Sequence, residues 1–108
     1  NENILEWASE EFWVPYKDPT TNRVRRYFPD FFIKYKDRDG NIRRSVIEVK
    51  PMRETLEPKA TKGKSRKTLI NESITYVKNQ AKWKAAREFC ADRKLEFKIM
   101  TEKELGIR

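Results

Sequence analysis

Residues 46–51 read VIEVKP, an apolar run into which a carboxylate and an ammonium group are set two positions apart. Side chains two apart on a β-strand project from the same face, so Glu48 and Lys50 should point the same way. Pro51 cannot donate a ladder hydrogen bond, which predicts that the strand ends there. Burying charges costs on the order of several kcal/mol per ion unless they are paired or used. The rest of the chain must therefore supply a partner for this charged pair.

Length and composition exclude several kinds of protein. A chain of 108 residues predicts a single domain over residues 1–108. It contains no histidine, which excludes histidine-based triads, His-ligated zinc and a histidine general base. The net charge of +8 favours a polyanionic partner such as nucleic acid. No apolar run approaches the roughly 18 residues that span a bilayer, so we expect no membrane partner.

Apolar alternation and turn residues divide the first half of the chain into strands. We predict a strand over residues 4–16, a second over Val24–Lys36 and a third over Ile42–Lys50. Turn clusters at residues 18–22 and 37–41 connect them. Three consecutive strands joined by short turns predict an antiparallel meander.

The second half of the chain predicts a loop, a helix and one more strand. Residues 52–67 combine Pro, Thr and Gly with many cations, which predicts a basic flexible loop. Helical spacing predicts an amphipathic helix over residues 68–91. Its apolar face is formed by Ile70, Ile74, Val77, Ala81, Ala85 and Phe89. Residues 95–100 alternate as a strand, and Thr101 and Glu104 have capping-box spacing. The expected fold class is α/β, a mixed sheet with one long helix on its face.

Asp30 is the predicted partner of the charged pair. It follows Pro29 in a strongly apolar strand, where a carboxylate needs a partner. If the turn is centred near Asp39-Gly40, antiparallel pairing puts Asp30 opposite about Lys50, close to Glu48. Two carboxylates that close repel each other unless they share a cation. A shell of two carboxylates, a strand carbonyl and waters suits Mg²⁺ or Mn²⁺.

Pro29-Asp30, followed one hairpin later by Glu48-Val49-Lys50, resembles the motif of the PD-(D/E)xK nucleases. A wider match, covering most of the chain, is similar to the head completion nucleases of T-even-type tailed phages. It consists of WASE at 7–10, VPY at 14–16, RYFPDF at 26–31, IEVKP at 47–51 and YVKNQAKWKAAR at 76–87. The resemblance implies a restriction-endonuclease-like fold. It also implies a metal-dependent DNA endo- or exonuclease that acts at head completion, before head–tail joining.

The same resemblance implies roles for particular residues. Asp30 and Glu48 would ligate Mg²⁺, with Mn²⁺ as a substitute, and the Val49 carbonyl would be a main-chain ligand. Lys50 would orient or deprotonate the attacking water, or neutralise charge growing on the phosphate. Gln80 matches a polar helix position that several such nucleases direct at the site.

The chain departs from the family pattern at its start. Related nucleases usually contribute a further Glu from a helix before the first strand, and a chain that begins at Asn1 starts too late to contain it. We therefore expect an N-terminally truncated or processed form, with the preceding helix absent, that binds metal poorly or is inactive. Substitution by Glu10 or Glu11 is the less favoured alternative, because exposed acids on strands are ordinarily solvated.

Cations of the loop and helix are the predicted DNA contacts. These are Lys59, Lys62, Lys64, Arg66, Lys67 and Lys82. Contacts of this kind bind phosphates without reading sequence, and a solvated charge run is the alternative. Besides DNA, the expected partners are phage head or neck proteins and a second copy of the chain. The expected location is the host cytoplasm or the virion.

Other interpretations stay open at this point. Glu48 and Lys50 could form an ion pair on a solvated sheet face. The chain could be a non-catalytic DNA- or portal-binding module on a nuclease fold, or a transposon-end endonuclease subunit. Trp7, Trp13 and Trp83 are predicted to be core or core-edge residues rather than platforms for base stacking.

Overall fold

The structure, a computed structural model, describes residues 4–9 and 12–106. Within them, six strands and two α-helices are arranged in two sheets. The elements are β1 (Ile4–Ser9), β2 (Val14–Asp18), β3 (Arg23–Tyr27), β4 (Phe31–Lys36), β5 (Ile42–Val49), a 3-10 helix (Met52–Thr55), α1 (Arg66–Asp92), β6 (Glu96–Met100) and α2 (Glu102–Leu105). The larger sheet has the order β1-β4-β5-β6, and β2 and β3 form the smaller one.

Strand pairing confirms the predicted α/β fold class. β1 pairs with β4, β2 with β3 and β4 with β5, all antiparallel, whereas β6 runs parallel to β5 after the crossover through α1. The predicted meander, helix and further strand are all present. Two predicted strands are each divided between the two sheets. The second is divided at Phe28–Asp30, where the buried Pro29 lacks the N–H that a continuous ladder requires.

The core lies where α1 packs on the smaller sheet and on β6. Its fully buried members are Val14, Tyr16, Tyr27, Trp83 and Ala86, and Phe89, Phe97 and Ile99 pack against them. The helix begins at Ser65, whose hydroxyl accepts a hydrogen bond from the Thr68 N–H at 3.1 Å. This cap starts α1 two residues earlier than the sequence predicts.

The predicted apolar face of α1 is wrong in its first half. Ile70, Ile74 and Val77 are 51%, 41% and 43% exposed. The residues of α1 that are buried are Asn79, Trp83, Ala86 and Cys90. The sheets cover only the part of the helix from Asn79 onward, so its N-terminal half lies beside the 52–65 segment instead.

The three tryptophans differ in their burial. Trp83 is 2% exposed, as predicted for a core residue, but Trp7 and Trp13 are 64% and 43% exposed. The predicted core position is therefore wrong for these two. Trp13 precedes the buried Val14, so strand alternation turns it outward, and its ring stacks with the Arg26 guanidinium at 4.9 Å.

The segment over residues 52–67 has regular secondary structure at both of its ends. It opens with the 3-10 helix, whose first N–H, from Met52, donates to the Glu102 Oε1 at 2.7 Å. Its last two residues, Arg66 and Lys67, already belong to α1. Among the described residues, no helix is both long and apolar enough to cross a membrane.

Asp18 stabilises the smaller sheet through contacts of its side chain with the β2–β3 turn, β3 and α1. Its buried carboxylate accepts hydrogen bonds from the Thr20 hydroxyl at 2.6 Å and from the Arg25 Nε at 3.0 Å, and the Lys78 Nζ on α1 lies 3.9 Å away. Hydrogen bonds from Thr20, with help from the two cations, lower the pKa of Asp18 to about 2. The carboxylate therefore links the β2–β3 turn to the helix in its ionised form.

Asp18→Asn should weaken the fold and flatten its acid dependence. Because the pKa in the folded protein lies below the ordinary aspartate pKa of 3.8, the stabilisation is complete above pH 3.8 and is lost as the pH falls through about 2. Chemical denaturation at a series of pH values measures the effect, and Asp39→Asn in the exposed 37–41 turn is the matched control. An unchanged acid dependence in Asp18→Asn would contradict this role.

Candidate active site

Glu48 and Lys50 lie at the C-terminal end of β5, as predicted, and Glu48 is on the face that α1 covers. Glu48 is 6% exposed and pairs across the sheet with Ile99, which packs in the core. The Glu48 Oε1 accepts a hydrogen bond from the Tyr27 hydroxyl at 2.9 Å, and the Lys50 Nζ lies 3.6 Å from Oε2. The pair is therefore not a simple ion pair on a solvated sheet face.

Asp30 joins this group through the β4–β5 register. Phe31 pairs with Ile47, so the register places Asp30 beside Glu48 rather than opposite Lys50, as the sequence predicts. The difference is two positions, because the observed pairing is centred on Asp39 itself, and each half-residue displacement of the centre moves the partner by one position. The Asp30 Oδ2 accepts a hydrogen bond from the Val49 N–H at 2.8 Å, which fixes the carboxylate at the end of the strand.

The surroundings of Glu48 disfavour its ionised form and so raise its pKa. Burial raises the pKa of Glu48 and the Asp30 carboxylate raises it further, whereas the Tyr27 hydrogen bond and Lys50 act in the opposite direction. Burial and the neighbouring Glu48 also raise the pKa of Tyr27 well above its usual range. Tyr27 therefore remains a neutral donor, and the two carboxylates have unused affinity for a cation.

A second lysine reaches the site from α1. The Lys82 Nζ lies 5.8 Å from the centre of the Tyr27 ring and 5.9 Å from that of Tyr16. Burial and the nearby Lys50 ammonium lower the pKa of Lys82. Two half-buried ammonium groups therefore lie close to Glu48, one from the strand and one from the helix. This arrangement suits an anion such as a phosphate.

Trp83 adds an unused donor next to Tyr27. The indole ring is fully buried, and its Nε1 makes no hydrogen bond with any described residue. It lies near the Tyr27 hydroxyl without reaching hydrogen-bond geometry. Most buried donors in proteins have a partner, so this N–H marks a position where a polar atom can be accepted.

The oxygen donors fit Mg²⁺ or Mn²⁺. One oxygen of Asp30 accepts from the Val49 N–H and one of Glu48 accepts from Tyr27. Among the described residues, this leaves Asp30 Oδ1 without a hydrogen-bond partner and Glu48 Oε2 facing only Lys50. In the described ranges, no third Cys, Asp or Glu joins them to make a larger acidic cluster. Glu10 and Glu11, the predicted substitutes for an upstream ligand, lie outside those ranges.

The other predicted site residues are dispersed. Gln80 is half-buried on α1, and no side-chain hydrogen bond joins it to the carboxylates within the part of the chain that the structure describes. The Lys64 Nζ donates to the Glu72 Oε1 at 2.7 Å and to the Lys59 carbonyl at 2.9 Å. Lys64 is therefore already paired within the protein and is a poor candidate for a phosphate contact. Lys59, Lys62, Arg66 and Lys67 are exposed.

Sequence reasoning missed Tyr27 and the contribution of Trp83. Tyr27 appeared only as one aromatic of a long apolar strand, and its hydroxyl reaches Glu48 because the strand breaks directly after it. The available signal was the Pro29 that sets the break. The role of Lys82 was predicted only as a general DNA contact, since its distance from Lys50 depends on how α1 crosses the sheet.

Comparison with known proteins agrees with this geometry. A family model described as "TnsA-like endonuclease N terminal" matches residues 1–102. The chain belongs to this family. As a TnsA-like endonuclease domain it also resembles the head completion nuclease of Enterobacteria phage T4, with 34% identity over 105 residues that cover 94% of this chain and 67% of the phage protein. No solved structure matches this chain. The predicted resemblance to PD-(D/E)xK nucleases is confirmed, and nucleases of that type generally use divalent metals.

Proposed function

We propose that the chain is a metal-dependent DNA nuclease that hydrolyses phosphodiester bonds, with endo- or exonuclease action, during phage head completion. The observation that carries the chemistry is the convergence of Asp30, Glu48 and Lys50 at one end of β5, beside Lys82. The T4 relative, a head completion nuclease, supports head completion as the setting. We place the step before head–tail joining, in the host cytoplasm or the virion.

Asp30 and Glu48, with the Val49 carbonyl, would hold Mg²⁺ or Mn²⁺. When bound, the ion would activate water and stabilise the charge that develops on the phosphate. The protein's own contribution is to fix the two carboxylates before the substrate arrives. Asp30 is held by the Val49 N–H, and Glu48 by the hydroxyl of Tyr27. Fixed ligands reduce the reorganisation that the reaction requires.

The two lysines have different tasks in this proposal. Lys50 lies on the strand next to Glu48, where it can orient or deprotonate the attacking water. Lys82 approaches from the helix and would bind a non-bridging oxygen of the same phosphate. Gln80, half-buried on the same helix, would orient the substrate by a hydrogen bond. Lys59, Lys62, Arg66 and Lys67 would contact the DNA backbone without reading sequence.

Asp30→Asn tests the proposal directly. The amide keeps an acceptor for the Val49 N–H but removes the charge that a metal requires, so cleavage of plasmid DNA with Mg²⁺ should fall by about 100-fold or more. Asp39→Asn, in the exposed turn, should cut at the wild-type rate. If both variants cut like the wild type, the assignment fails. If the wild type binds DNA and cuts none with Mg²⁺ or Mn²⁺, the chain is the non-catalytic binding module instead.

Tyr27→Phe should slow cleavage while leaving DNA binding intact. The substitution removes the hydroxyl that donates to Glu48 at 2.9 Å, so the carboxylate loses its fixed orientation. Loss of such a supporting hydrogen bond typically costs about 10–100-fold in metal affinity or rate. Titration of cleavage against Mg²⁺ concentration measures it. Tyr35→Phe, on the opposite face of the large sheet, is the control and should have no effect.

The family description favours a second setting. A TnsA-like endonuclease domain is consistent with the transposon-end endonuclease subunit that the sequence leaves open. The two settings share the same site, and they differ in the neighbouring genes and in the substrate. Cleavage that requires a transposase partner and a defined DNA end would favour transposition, whereas cleavage by the protein alone without sequence preference would favour head completion.

A further inference from the structure

A groove of about 650 Å³ runs along the N-terminal half of α1, between the helix and the segment that follows β5. Both of its walls lead to the candidate active site. One wall begins at Arg53, three residues after Lys50, and the other ends at Asn79, which is one helical turn before Lys82 and Trp83. Its volume is in the range of pockets that hold a small organic group.

The helical wall presents a row of hydrogen-bonding side chains. Asn71, Thr75 and Asn79 are spaced by four residues, so they lie on one face of α1 at steps of about 6 Å. Continuing the row by four reaches Trp83, which lies beside Tyr27 in the candidate active site, so the row of side chains leads from the groove to that site. Asn79 is itself 5% exposed and lines the groove. The amides and the hydroxyl of this wall can donate to and accept from a ligand that has a polar edge.

The charge of the groove argues against a phosphate. Three cations and three carboxylates line it, so its formal charge is zero. They are Arg53, Lys59, Lys64, Glu54, Glu57 and Glu72. The Lys64–Glu72 ion pair, at 2.7 Å, consumes one charge of each sign. A path for the DNA backbone would be strongly positive. The groove has no net formal charge and combines apolar surface, hydrogen-bonding side chains and an aromatic ring, that of Tyr76. Such a lining suits an uncharged heteroaromatic group with hydrogen-bonding edges.

We propose that this groove holds an unpaired nucleobase of the DNA strand being cut, so that the preferred substrate carries single-stranded nucleotides beside the scissile bond. The inference rests on the proposed function, because it takes DNA to be the substrate. The base stacks on Tyr76 and uses its polar edge to pair with Asn79. The adjoining phosphate then lies about one nucleotide away along α1, next to Lys82. Paired bases in a blunt duplex are stacked inside the helix and cannot enter.

The test uses the full chain with EDTA present, so that binding is measured without cleavage. The probes are a single-stranded oligonucleotide and a blunt duplex of the same sequence, each carrying the fluorescent base 2-aminopurine. We expect the single strand to bind about tenfold more tightly than the duplex, with a change in 2-aminopurine fluorescence on binding. Tyr76→Ala and Asn79→Leu should remove that preference, and Tyr76→Phe, which keeps the ring, should retain it. Val77→Ala, a neighbour that does not line the groove, is the control.

Three results would overturn the inference. The first is equal affinity of the wild type for the two probes. The second is a preference that survives both Tyr76→Ala and Asn79→Leu. The third is an equal loss of affinity for single strand and duplex in Tyr76→Ala, which would assign the groove to the backbone. Cleavage with Mg²⁺, measured separately on a plasmid, distinguishes failure of this inference from failure of the proposed function. Thermal denaturation confirms that each variant is folded, and Tyr76→Ala, at a half-exposed position, keeps the test decisive if Asn79→Leu fails to fold.

Discussion

Glu48→Gln should abolish DNA cleavage and leave the metal-free protein at least as stable as the wild type. The activity loss follows from removing the charge of a proposed metal ligand, and we expect a fall of about 1,000-fold or more. The stability gain follows from burial. Glu48 is 6% exposed, its pKa is raised by that burial, and the facing Lys50 ammonium is 3.6 Å away.

The glutamine amide keeps the carbonyl acceptor for Tyr27 while removing a buried charge. Desolvation of a carboxylate costs on the order of several kcal/mol, and one hydrogen bond and one long ion pair offset part of it. We expect the free energy of unfolding without metal to rise by about 1 kcal/mol. Urea denaturation in EDTA measures the change, and addition of Mg²⁺ should stabilise the wild type only.

Glu96→Gln provides the matched control for this experiment. Glu96 pairs across the sheet with Ser45, on the face opposite Glu48, and forms a 3.2 Å ion pair with Arg43. Its loss should leave cleavage unchanged and reduce stability slightly. If Glu48→Gln cut DNA normally, or if it were clearly less stable than the wild type in EDTA, the buried carboxylate would have a structural role and the proposed metal site would be wrong.

Lys50→Met should be the second large effect. Methionine preserves the unbranched stem and removes only the ammonium, so the end of β5 should remain in place. Loss of a group that orients or deprotonates water, or that neutralises charge on the phosphate, should reduce the rate by about 100–10,000-fold. Metal binding should persist, because the oxygen donors Asp30 and Glu48 are unchanged.

Lys84→Met separates this effect from a general loss of positive charge. Lys84 is exposed on α1, so its replacement should weaken DNA binding only slightly and only at low salt. Cleavage rates at saturating DNA, measured for both variants with Mg²⁺, give the comparison. Similar modest losses in the two variants would show that Lys50 contributes charge alone. A normal rate for Lys50→Met would exclude it from the reaction.

The sequence predicted the parts of the fold and site that depend on local pattern. The meander, the crossover helix, the parallel last strand and the shared face of Glu48 and Lys50 follow from alternation, turn residues and Pro51. The sequence-based prediction failed where tertiary packing determines which residues are buried. The buried face of α1 shifted from the apolar row beginning at Ile70 to one that begins at Asn79, because the sheets cover only half of the helix.

The site shows the same division between local and long-range information. Asp30 was found because a carboxylate in an apolar strand needs an explanation, although its register was misplaced by two positions. Tyr27 and Trp83 could not be assigned, since nothing in a one-dimensional pattern distinguishes an aromatic residue that fills the core from one that also supports a carboxylate. Their roles depend on the angle at which the smaller sheet meets the larger one.

The hydrogen bond from the Val49 N–H to the Asp30 carboxylate has a consequence for how this domain can lose its activity. The β4–β5 ladder stops at Phe31, so the Val49 N–H bonds to the Asp30 Oδ2 instead of to a backbone carbonyl of β4. In an inactive relative of this domain, replacement of Asp30 by an apolar residue would also remove the hydrogen-bond acceptor of the Val49 N–H and so weaken the end of the strand. Asparagine preserves that acceptor, so a relative carrying asparagine here should be an inactive domain with an intact sheet.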